Sequence, residues 1–172
     1  MRVKWVTGVL AAVCAAALLP GTAAGAAGDV RDVEWRDSRY AVPPVGGCPA
    51  QEVPFADGAA VVGDSVYRFT PREHVRYADV TGEGVEDALL FLDCGPRNSE
   101  YSTALVGMTT APDGSPRPLG TVVNPEVWTT VPTGVVVRNE LISVGLESWD
   151  TGRTWTEHYR WAASAAAFVR VG

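Results

Sequence analysis

The stretch "YADVTGEGVEDALLFLDC", residues 77–94, decides the fold. Its second half, "EDALLFLDC" (86–94), is the most apolar segment of the chain beyond its first residues. An apolar run of that length, bounded by turn residues, reads as a central strand buried on both faces. Upstream, "EHVRYADV" (73–80) reads as a strand with Val75, Tyr77 and Asp79 on one face. Between them Gly82 and Gly84 mark a tight reversal, because glycine accepts a positive φ without a Cβ clash.

Working outward, the same punctuation recurs. "YSTALVGMTT" (101–110) is the expected partner strand, after the loop "GPRNSE". "PDGSP" turns the chain into "RPLGTVV" (117–123). "NPEVWTTVPTG" is expected to be loop, and "VVVRN", "LISVGLESW", "TWTEHYRWA" and "AFVRV" are expected strands. "WAASAAAF" reads as a bridge between the last two. On the other side, "DVEWRDSRYAV" (32–42) alternates weakly, as a first strand would, and "VPPVGGCPA" is irregular. Asp57-Gly58 and Gly63-Asp64 predict two tight hairpins. No segment carries a 3.6-residue apolar period. The expectation is an all-β, single compact antiparallel domain over 27–172. It has roughly eight to eleven short strands in a sandwich, a barrel or propeller-like sheets.

The first 26 residues read as a secretory signal peptide. Arg2 and Lys4 precede an uncharged run from Val6 to Leu19, Pro20 and Gly21 break it, and Ala24-Gly25-Ala26 fits cleavage before Ala27. Cys14 has Val13 and Ala11 where a lipoprotein signal needs a small residue and Leu, so a lipid anchor is not expected. No later run is long enough for a transmembrane helix. Removing Arg2 and Lys4 from the 14 basic residues leaves 12, all arginine, against 20 acidic ones, a formal net charge of −8. Such a chain is not expected to bind nucleic acid or anionic lipid, both of which call for basic patches.

Two cysteines remain after processing, Cys48 and Cys94. An even count in a secreted chain reads as one disulfide, whereas a redox or nucleophilic cysteine would lack any C-x-x-C setting.

The loop at 79–87 places Asp79, Thr81, Glu83 and Asp87 at positions 1, 3, 5 and 9. It resembles, in degraded form, the D-x-D-G-D-G-x-x-D calcium loop of integrin-type β-propeller repeats. That resemblance implies calcium held by those four side chains and the carbonyl of Val85, since calcium takes six to eight oxygen ligands. Thr81 and Glu83 depart from the pattern. The alternative is a bare hairpin corner in which Asp79 and Thr81 bond to backbone N–H groups.

Residues 148–155, "SWDTGRTW", resemble the Asp box of sialidases at Ser148, Asp150, Gly152, Thr154 and Trp155. The box is a hairpin device lying away from sialidase active sites. It implies architecture, with Asp150 accepting backbone bonds across the turn and Trp155 packing beneath it. More broadly, "GGCP", the 77–94 stretch and "HYRWAASAAAFVRV" resemble small secreted or lipid-anchored proteins of actinobacterial type. That resemblance supports the all-β reading and the Cys48–Cys94 bridge, and it brings no catalytic residues.

Other chemistry finds little footing. His74 and His158 each follow a glutamate, Glu73 and Glu157, but neighbours on a strand face opposite ways and cannot easily share an ion. Glu86 and Asp87 fail as a carboxylate pair for the same reason. Ser148, Asp150 and His158 have triad residue types, with Ser148 already used in the turn. Of the five mature tryptophans, Trp128 in a Pro-flanked loop is the expected exposed contact. The sequence therefore favours a secreted, non-catalytic binding or cell-surface interaction module for an extracellular ligand or protein. It requires no cofactor, with calcium as the one candidate. The alternatives are a glycan-acting hydrolase, by Asp-box analogy, and a protease inhibitor presenting "NPEVWTTVP" or "GPRNSE".

Overall fold

The computed structural model describes residues 28–71, 75–126 and 128–172. The expected leader (1–26) with Cys14, and Glu73 with His74, lie outside them. Twelve strands occur among the described residues, after a short 3-10 turn at Val30–Asp32. They are β1 (Arg39–Val42), β2 (Gln51–Pro54), β3 (Ala59–Val62), β4 (Ser65–Phe69), β5 (Arg76–Ala78) and β6 (Asp87–Pro96). Then come β7 (Ser102–Thr110), β8 (Pro116–Val123), β9 (Thr130–Arg138), β10 (Leu141–Ser148), β11 (Arg153–Ala162) and β12 (Ala167–Arg170). The pairings are antiparallel. A six-stranded sheet runs β3-β4-β6-β7-β8, with β5 also on β6; a four-stranded sheet runs β12-β11-β10-β9; β1 and β2 form a separate hairpin layer.

Strand β6 is the centre of the molecule, buried from Asp87 to Gly95. Side chains alternate across a strand, so its two faces supply two cores. Ala88, Leu90, Leu92 and Cys94 pack with Ala104, Val106 and Met108 of β7 against the β1–β2 layer. There Trp35, Tyr40, Phe55 and Phe69 form a chain of ring contacts with centroids 5.2 to 5.3 Å apart. Leu89 and Phe91, with Leu105 of β7, face Ile142, Val144, Leu146 and Tyr159 of the four-stranded sheet. The result is a two-sheet sandwich carrying a third, smaller layer. The Cys48–Cys94 disulfide, Cα–Cα 6.2 Å, pins that layer to β6.

Several expected details differ. The strand expected over 32–42 is confined to Arg39–Val42, because the 3-10 turn precedes it and the Trp35 indole reaches back to the Val30 carbonyl. The strand expected over 73–80 is only Arg76–Ala78. Val75 and Tyr77 do share a face on the first core, but Asp79 has left the sheet to build the loop. Asp57-Gly58 is a tight reversal with φ of 51° and 77°, yet β2 and β3 enter different sheets, so only Ala56 and Ala59 pair across it. Gly63-Asp64 closes the predicted two-residue hairpin, Val62 opposite Ser65. The segment 130–134, expected to be loop, is the start of β9. Pro132 is tolerated there because β9 is an edge strand, beside a register shift at Gly145/Leu146.

Candidate functional site

On the face of the six-stranded sheet that meets the four-stranded one, apolar side chains stop one residue pair before the sheet does. Leu89 and Phe91 are followed, at the same parity, by Asp93; Leu105 is preceded by Thr103. Arg68, Asp93 and Thr103 are direct cross-strand partners on β4, β6 and β7. They form one polar row. Arg68 Nε donates to Asp93 Oδ2 at 2.9 Å, and Thr103 Oγ1 donates to Asp93 Oδ1 at 2.6 Å. The guanidinium lies over the Tyr101 ring, 4.1 Å from its centroid. The Asp93 side chain is 8 % exposed, so the charge is held by that pairing, while Arg68 is 45 % exposed. A buried carboxylate without such partners would cost several kcal/mol or neutralise.

Opposite this row the four-stranded sheet ends, and a cleft of about 360 Å³ opens between the sheets. Its lining includes Arg68, Thr70, Asp93, Thr103, Glu147 and Trp149. Three features set it apart. Thr70 Oγ1 is buried with no hydrogen-bond partner among the described residues, although the Thr70 amide bonds to the Phe91 carbonyl. The Glu147 carboxylate, on a strand paired to both sides, has no ion-pair or hydrogen-bond partner among the described residues. Trp149 is 58 % exposed.

Trp149 is anchored through its backbone. Its amide donates to the Thr129 carbonyl at 2.9 Å, and the buried Thr129 hydroxyl donates to Asp150 Oδ2 at 2.7 Å. The two bonds fix the β10–β11 corner to the chain entering β9. Gly152, φ 64°, closes the corner with its amide on the Ser148 carbonyl. Ser148 pairs with Arg153 across the hairpin, Thr154 is exposed, and Trp155 packs partly buried on the second core. Asp150 thus takes a side-chain donor from another segment where the Asp-box resemblance implied backbone donors across its own turn.

The 79–87 loop is closed by its own groups. Asp79 Oδ1 accepts from the Gly82 amide at 2.7 Å and Oδ2 from the Gly84 amide at 2.8 Å; both glycines have φ near 80°. Asp87 Oδ2 accepts from the Val80 amide at 3.1 Å and lies 3.3 Å from Thr81 Oγ1. Burial pushes the Asp87 carboxyl above the ordinary aspartate value, against hydrogen bonds that lower it. Glu83 and Val85 are exposed. No group of three or more His, Cys, Asp or Glu placed to hold a metal occurs among the described residues. Glu86, just before β6, pairs with Arg31 at 2.5 Å, while Asp87 bonds within the loop.

The remaining expected site residues are scattered. Trp128, 41 % exposed, is on the loop before β9 and outside the cleft lining. His158 Nδ1 lies 3.0 Å from Ser143 Oγ across β10 and β11. A second cleft between the sheets holds Trp155, Glu157, Tyr159 and Arg170. There Glu157 is fully engaged, accepting from Trp155 at 3.1 Å and Tyr159 at 2.5 Å and pairing with Arg170 at 3.1 Å. A larger hollow borders Gly28 and Asp29, where the described chain starts. Polar capacity left unspent therefore concentrates at the Trp149 cleft.

No helix among the described residues is long and apolar enough to cross a membrane. No protein-family model, curated protein or solved structure matches the chain. Sequence reasoning missed Arg68, Thr70, Asp93 and Glu147. One signal was available: Asp93 follows Leu89 and Phe91 at the parity of a buried face, and a charge there demands a partner.

Proposed function

We propose that this protein is an extracellular, non-catalytic binding module whose ligand seat is the Trp149 cleft. The observation that carries the reading is the buried Thr70 hydroxyl, without a partner among the described residues, in a wall shared with the exposed Trp149 and the Glu147 carboxylate. Ligand pockets combine apolar and aromatic lining with a few placed polar groups, at volumes of roughly 300–1,000 Å³. Both Asp93 oxygens are already bonded to neighbours, leaving Glu147 as the one uncommitted carboxylate among the cleft residues named above. A lone carboxylate does not make the acid–base pair of a glycosidase. The expected extracellular location and the acidic composition, formal net charge −6, are consistent with this role.

Screening the wild type and Trp149→Ala side by side on immobilised glycans and peptides, and on chromogenic glycosides, tests the reading. Retention by the wild type that the variant loses is the expected result. Turnover of any glycoside, or retention indifferent to Trp149, contradicts it.

A second reading concerns the 79–87 loop, where the Thr81 hydroxyl stands between Asp79 Oδ1, 3.5 Å away, and Asp87 Oδ2. Calcium bound there would raise the melting temperature over that in EDTA, because an ion that binds only the native state stabilises it. The rise would vanish in Asp79→Ala. Equal melting in calcium and EDTA leaves the loop a hairpin corner.

A further inference from the structure

Taking the Trp149 cleft as the ligand seat, we propose that its ligand is a neutral oligosaccharide, stacked on the Trp149 indole and hydrogen-bonded by Glu147, Arg68 and Thr70. The charge balance argues first. Arg68 is neutralised by Asp93, and Glu147 adds an unpaired negative charge. An anionic ligand would meet net repulsion from the cleft and from a chain of formal charge −6.

The donor and acceptor types argue next. Each sugar hydroxyl both donates and accepts. Glu147 only accepts, Arg68 only donates, and the Thr70 hydroxyl does both. Asp93 uses one of the five guanidinium N–H donors, and the Arg68 side chain is half exposed at the cleft. A polyhydroxy ring can engage all three kinds at once. It also offers a hydroxyl to the Thr70 oxygen, which has no hydrogen-bond partner among the described residues.

The apolar wall completes the match. A pyranose carries C–H groups on its face and hydroxyls at its rim, and the exposed Trp149 indole, on a backbone tied to Thr129, is a flat apolar platform with a polar edge. A peptide fits less well. The strand edge bordering the cleft is β9, and it contributes Pro132, which has no N–H for an added strand to bond.

The test is titration of the exported, oxidised protein with cellohexaose, mannohexaose and chitohexaose, followed by tryptophan emission and calorimetry. At least one hexasaccharide is expected to bind with a Kd below about 1 mM. Trp149→Ala should weaken that binding by roughly tenfold or more, Glu147→Gln should weaken it less, and Trp128→Ala should leave it unchanged. Both tryptophans are exposed, so neither variant should unfold, and an unchanged melting temperature verifies this. No binding of any of the three to the wild type overturns the proposal. Trp149-dependent binding of a sulfated glycan or a peptide also overturns it, while sustaining the cleft as a ligand seat. Hexasaccharide binding that Trp149→Ala leaves intact overturns both.

Discussion

At the scale of single residues, Thr70 and Asp93 line the same cleft and carry opposite stability signs. Thr70→Val replaces a buried, unbonded hydroxyl with a methyl group of nearly equal shape. It should stabilise the protein by about 1 kcal/mol while weakening ligand binding. Asp93→Ala strips the partner from the buried Thr103 hydroxyl and from Arg68, and should cost about 2–3 kcal/mol. Urea denaturation of the two variants measures both; a destabilised Thr70→Val would mean its hydroxyl is satisfied after all. Little of this was legible in the sequence. Trp128 stood out there because prolines flank it, yet exposure in a loop says nothing of what lies opposite. Trp149 earns its place through Thr129 and Asp150, a pairing across 21 positions that no local motif records.

At the scale of elements, legibility tracks how local the cause is. The burial of β6 follows from its own composition, and the Gly63-Asp64 hairpin from its two turn residues. The start of β9 was hidden because Pro132 argues against a strand unless that strand lies at a sheet edge, and edges are a property of the assembled sheet. Strand β12, the other edge of the same sheet, is tied to β11 partly through Glu157 and Arg170. Burial pushes the Glu157 carboxyl up, but Tyr159, Trp155 and Arg170 together push it further down, so it ends below its usual value of 4.5. A carboxyl depressed by folding contributes stability that is complete above that ordinary value. The contribution drains away as pH falls through the lower, folded one. Glu157→Gln should therefore reduce stability at neutral pH and flatten the loss of stability below about pH 4.5. Melting curves across the acid range check it. A variant with an unaltered acid limb would remove Glu157 from the account.

At the scale of the whole molecule, the all-β class and the disulfide were legible, because composition, turn residues and the two cysteines beyond the expected leader speak for the chain at large. The third layer was not. Nothing local says that β2 and β3, joined by a tight turn, belong to different sheets. The Cys48–Cys94 bridge spans 46 positions and fastens that layer to the central strand. Its loss should cost roughly 4 kcal/mol in the chain-entropy model. The midpoint of denaturation under reduction, or in the Cys48→Ala/Cys94→Ala variant, measures the loss, and an unchanged midpoint would mean the aromatic chain alone holds the layer.

The central claim is that the cleft between the sheets is where this protein meets its ligand. The most direct measurement is an amide and indole NMR titration of the isotope-labelled protein with the three neutral hexasaccharides. The account predicts shifts that cluster on the Trp149 indole and on the amides of Thr70, Thr103 and Glu147, with Trp128 and the 79–87 loop unmoved. Shifts gathered around Trp128 or the Glu157 cleft, with the Trp149 indole silent, would contradict it.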